Sequence, residues 1–196
     1  MITKHLYRVN FLVGGLVLSS FGCYAMGGIS NSKVISNKMD TKSVQKVRIE
    51  MDRGVLEITP TEGDYLSYDV EFFPDLGKTA SPENYANSAI TTDNNGAIKI
   101  HTGENLRATA SVFVPRNKDI IIRMDSGTME IGSLTGNIDA RLEKGGIKFD
   151  ASGLADDVCV WAGVKRGGVN NEKDKNCETQ DPLVRLYTET GSVTVK

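Results

Sequence analysis

Few side chains in this sequence are spaced to do chemistry. Two histidines and three cysteines in 196 residues are too few for a histidine-based metal cluster. Beyond residue 25 there is no G-x-S-x-G elbow, no H-E-x-x-H and no phosphate- or dinucleotide-binding glycine loop. The acids Asp125 and Glu143 are the pair to weigh for hydrolysis or for calcium. Glycoside hydrolysis needs two carboxyls across a cleft, one held protonated, and calcium needs a cage of several oxygens. Neither a cleft nor a calcium-loop pattern surrounds these two, so a solvated charged face is the economical reading. His101 follows Ile98-Lys99-Ile100 and reads as a surface residue. No catalytic residue, metal or cofactor is expected.

The most specific feature is aromatic. Trp161, the single tryptophan, and Tyr187 fall at outward positions of neighbouring strands, with Asp139, Arg141 and Arg185 in the same or adjoining columns. Flat rings beside arginine and aspartate can hold a sugar by stacking and polar contacts. The plainer alternative is that the polar insertion 170–182 folds over Trp161 as a satellite core, and the residues favour this cover.

The elements that must carry these side chains emerge from a repeat. With Gly127 as origin, apolar residues stand at −7, −5, −3, +2 and +4: Ile120, Ile122, Met124, Met129 and Ile131. The same offsets recur around Gly54, Gly145, Gly167 and Gly191, broken only at Asn171 and Thr188. Gly96 keeps a second half alone, Ile98 and Ile100. Each copy reads as two short strands of period two hinged at a glycine, one face in a core and the other in water. Repeats this short fit β-solenoid coils or sandwich layers better than propeller blades. Residues 80–90, with Pro82 near the start, predict one short helical turn over a strand edge. Residues 26–43 lack periodicity and read as a flexible leader.

The ends speak of compartment. Lys4 and Arg8 precede the apolar run Phe11–Leu18 and the small residues before Ala25, which is the pattern of a secretory signal peptide over residues 1–25. Cleavage after Ala25 is favoured over lipidation at Cys23, because Ser20 stands where lipoprotein signals usually carry leucine. A membrane partner is expected only if Cys23 is lipidated. Cys159 and Cys177 then remain as an even pair in an oxidising space, most simply a disulfide. Composition agrees with a soluble globular chain: 39% hydrophobic, 24% charged, 23 Lys+Arg against 25 Asp+Glu. A net charge of −2 offers nucleic acid no basic face.

The run Val114-Pro115-Arg116-Asn117-Lys118-Asp119-Ile120, then Asp125-Ser126-Gly127-Thr128-Met129-Glu130-Ile131, with the terminal unit Thr190-Gly191-Ser192-Val193-Thr194-Val195, resembles a bacterial family. It is similar to the putative-adhesin (toastrack-like) family of exported β-repeat domains, over roughly residues 44–196. That resemblance implies an all-β, right-handed β-solenoid-like stack with no enzymatic residues to carry over. The insertion 170–182 and the cysteine pair depart from the family pattern. The expectation is a single repeat domain over 44–196, in the periplasm or at the cell surface. It would act as a non-enzymatic interaction or structural module binding a glycan or another envelope component. The alternative is an assembly module that pairs exposed β edges, and a carboxylate-dependent hydrolase is a distant third.

Overall fold

The computed structural model describes residues 32–93, 95–155, 158–173 and 183–196. The expected signal peptide, Cys23, Cys177 and residues 174–182 of the insertion lie outside these. In chain order the elements are β1 (Lys33–Asp40), β2 (Lys46–Thr61), β3 (Tyr65–Pro74), α1 (Pro82–Ala89), β4 (Ile90–Thr92), β5 (Ala97–Ile100), β6 (Leu106–Pro115), β7 (Asp119–Ile131), β8 (Ile138–Phe149), β9 (Val160–Asn171) and β10 (Val184–Val195). The fold is all-β, one mixed ten-stranded sheet in the order β1-β3-β6-β2-β7-β8-β10-β9, with β4 and β5 off the main path. Among the described residues no helix is long and apolar enough to cross a membrane.

The glycine repeat sets the register. Gly54 pairs with Gly127, Gly127 with Gly145, Gly145 with Gly191, and Gly191 with Gly167, all in parallel. Each of the five has φ between +133° and +144°, a region that L side chains rarely occupy. Space forbids a side chain there too: a Cβ on Gly145 would run into the Gly127 carbonyl, and one on Gly191 into that of Gly145. Each strand therefore bends at its glycine. Both arms turn their apolar residues inward, Val47, Ile49 and Met51 on one side of the bend and Leu56 and Ile58 on the other. They join one cluster with Leu134, Ala151 and Leu154 from the connections that follow β7 and β8.

Four features differ from the sequence reading. The repeats do not stack in chain order, because β10 inserts between β8 and β9 and leaves β9 at the edge. The expected flexible leader contains β1, which pairs antiparallel with β3 from Lys33↔Phe72 to Asp40↔Tyr65; ladder bonds hold it where the apolar pattern is too sparse to show. Gly96 does not start a second arm. Ile98 and Ile100 align with Ile49 and Met51 of the first arm of β2, since β6 already occupies the place beside the second arm. The expected single helical turn is a full α1, which buries Pro82, Ala86 and Ala89 and lies against β1, β3 and β4.

Candidate functional site

The parallel register turns outward residues into rows that cross the strands at about 4.8 Å per step. One row runs Arg48, Ile121, Asp139, Arg185, Trp161; the next runs Glu50, Arg123, Arg141, Tyr187, Gly163. All five residues singled out from sequence thus share the outward face of β8, β10 and β9. Arg185 is the direct cross-strand partner of both Asp139 and Trp161, and Tyr187 that of Arg141 and Gly163.

The rings meet because of that order. Trp161 and Tyr187 are stacked, with centroids 6.4 Å apart and planes within 13°. Gly163 makes room for this contact: a Cβ there would press into the six-membered ring of the indole at 2.6 Å. Trp161 keeps 44% of its surface exposed, and residues 174–182 of the insertion expected to cover it lie outside the described residues. Beside the rings, Asp139 is gripped by Arg123, whose Nη1 and Nη2 donate to Oδ1 and Oδ2 at 3.2 and 3.0 Å. The same Arg123 Nη1 also donates to the carbonyls of Ile122 and Asp139 at 2.8 and 2.9 Å. Arg141 Nε stands 3.4 Å from Asp139 Oδ1. This is charge-assisted, bidentate geometry, which fixes direction as well as distance.

Sequence reasoning missed Arg123 and Gly163. Both stand at −4 in their own copies, the offset of Arg141 and Tyr187, so the repeat itself carried the signal. Two shallow clefts flank the face. One of ≈ 280 Å³ is lined by Arg123, Arg141, Tyr187, Glu143 and Glu189 among others. The second, of ≈ 340 Å³, lies by Asp139, Arg185, Asn137 and Lys46. What the arrangement offers is two stacked π faces and a set of guanidiniums, one of them locked by Asp139.

The acids fall in a further row, at −2. Insertion of β10 brings Glu189 next to Glu143, so Asp52, Asp125, Glu143 and Glu189 occupy successive strands and Lys165 ends the row instead of interrupting it. Among the described residues no group of three or more His, Cys, Asp or Glu is arranged to hold a metal ion. His101 is a surface residue whose Nδ1 lies 3.4 Å from Asp52 Oδ1. Cys159 is buried immediately before β9, and the expected pairing with Cys177 falls outside the described residues.

No family model and no curated protein matches the chain. Among solved structures it is similar to a putative cell adhesion protein from Clostridium sporogenes, at 13% identity and a TM-score of 0.46, covering 84% of this chain and 99% of that one. It is also similar to a putative adhesin from Bacteroides fragilis, at 11% identity and a TM-score of 0.22, covering 84% of this chain and 96% of that one.

Proposed function

We propose that this chain is an exported, non-enzymatic interaction module of the bacterial envelope or surface, and that it contacts a glycan or another envelope component through the β8–β10–β9 face. The observation that carries this reading is the exposed Trp161, stacked on Tyr187 beside Arg141 and Arg185, with Asp139 holding Arg123 in place. An indole face left in water costs solvation free energy that a sugar ring would recover on stacking. The guanidiniums add directional donors around it. Export rests on the amino-terminal pattern over residues 1–25, and it supports a Cys159–Cys177 disulfide that ties the insertion to the start of β9.

The test is a glycan array followed by titration of the best binder. Trp161→Ala is expected to weaken binding about tenfold or more with an unchanged circular dichroism spectrum, because a stacked aromatic contact lies in the hot-spot range. Binding that survives Trp161→Ala undiminished would remove the platform.

A further inference from the structure

At the opposite side of the glycine column, four strand steps from β9, the bends of β6, β2 and β7 enclose a cleft of ≈ 470 Å³. It is lined by Arg53, Arg107, Phe73, Asp75, Thr109 and Ser126 around the bare backbone of Gly54 and Gly127. We propose that this cleft is a second binding site, for a sugar acid or similar ring-bearing carboxylate held by Arg53 and Arg107.

The two arginines stand on facing positions, because Gly54 pairs with Ala108 and each arginine precedes its partner residue by one. Arg53 is already aimed. Its Nη1 donates to Asp75 Oδ2 at 3.1 Å and to the Glu104 carbonyl at 3.3 Å. Asp75 is itself kept below the usual carboxylate range, first by the Leu76 N–H on its Oδ1 and then by Arg53, so it stays ionised and keeps Arg53 in place. Arg107 adds to the positive field on Asp75 without touching it. It lies over the Phe73 ring at 5.5 Å and makes no hydrogen bond or salt bridge among the described residues.

That leaves a planar, five-donor group fixed over an aromatic ring at the mouth of a cavity of ligand size. Guanidinium matches a carboxylate's two oxygens better than any other side chain does. Thr109 and Ser126, whose hydroxyls carry no hydrogen bond among the described residues, also line the cleft, where the hydroxyls of a sugar could meet them. Val55, exposed beside them, offers the apolar patch that a ring's C–H face needs. One carboxylate against two guanidiniums leaves the cleft cationic, although the whole chain has a net charge of −2.

The test is amide NMR of the full chain titrated with D-glucuronate, with D-glucose as the uncharged ring and inorganic phosphate as the ringless anion. Glucuronate is expected to shift the amides of Gly54, Thr109 and Gly127, and the effect should weaken with added salt. Arg107→Gln, an exposed substitution, should lower affinity about tenfold, the cost of one charge-assisted pair. Trp161→Ala should leave this binding intact, which separates it from the platform on β8, β10 and β9. Equal shifts with glucose, equal displacement by phosphate, or full binding by Arg107→Gln would each overturn the assignment.

Discussion

Strands β9 and β10 follow the same offsets, pair with each other residue for residue, and still occupy different environments. In β10, Leu186 and Val193 are fully buried; at the matching positions of β9, Ala162 is half-buried and Val169 is 45% exposed. The cause is placement. β10 has a bent neighbour on each side, β8 and β9, whereas β9 closes the sheet order with β10 on one side only. An inward apolar residue on a bent strand is covered by the strands flanking it as much as by the opposite arm. Matching the repeat therefore describes fit to the stack, and burial depends on position within it. The edge position also releases outward groups for contact, and Trp161 stands there.

The sharpest way to break this comparison is at the glycines. Gly145 in β8 combines φ +135° with a Cβ site blocked by the Gly127 carbonyl. Gly145→Ala is expected to cost about 4 kcal/mol or more, enough to leave little folded protein. Gly168 sits one residue past the bend of β9, with nothing within 4 Å of its Cβ site. Gly168→Ala should change stability by about 0.5 kcal/mol or less, with a gain possible because alanine has fewer unfolded states. Urea unfolding of the two variants measures both. Similar losses in each would show that bend and edge are not distinct.

A smaller contrast uses one residue type. Val193 in β10 is 0% exposed and its β9 partner Val169 is 45% exposed. Val193→Ala should destabilise by about 2 kcal/mol, from lost transfer free energy and the cavity left behind. Val169→Ala should cost about 0.5 kcal/mol. If Val169→Ala costs as much as Val193→Ala in the same denaturant series, then something covers the β9 edge in solution and the edge is not free.

The register was legible because the glycine offset and the inward parity are local properties that every copy shows. The order was not, for the same reason: copies that present one common inner face are interchangeable as neighbours, and no residue in the pattern says that β10 precedes β9 across the sheet. Chain order alone would set Lys165 between Glu143 and Glu189, whereas it ends their row. The five outward residues Asp139, Arg141, Trp161, Arg185 and Tyr187 were legible as a group because rows survive reordering, and their contacts were not. Stacking of Trp161 on Tyr187 needs both the β10–β9 adjacency and the vacancy at Gly163. β1 was invisible because its partner strand, and not its own alternation, orders it.

The two breaks in the repeat sharpen the comparison last. Thr188 stands at −3 in β10, where the other copies carry Met51, Met124, Leu142 and Val164, and it is fully buried. Among the described residues its Oγ1 reaches only the Thr190 carbonyl, at 3.5 Å, the far limit of a hydrogen bond. Thr188→Val keeps the branched shape and removes a hydroxyl that gains little from its partner, so it should stabilise by about 1 kcal/mol. Asn171 stands at +4 in β9, where Ile58, Ile131, Phe149 and Val195 are buried elsewhere. Here the polar side chain is in use: Nδ2 donates to the Val160 carbonyl at 3.2 Å, and Oδ1 accepts from Lys173 N at 3.0 Å. Asn171→Val should therefore destabilise by about 0.5 to 1 kcal/mol, although it restores the pattern. Opposite signs in thermal or urea unfolding would show that apolar residues at the repeat offsets stabilise only where strands flank both sides. Stabilisation by both substitutions would mean that the edge behaves as interior, and the distinction between β9 and β10 would fall.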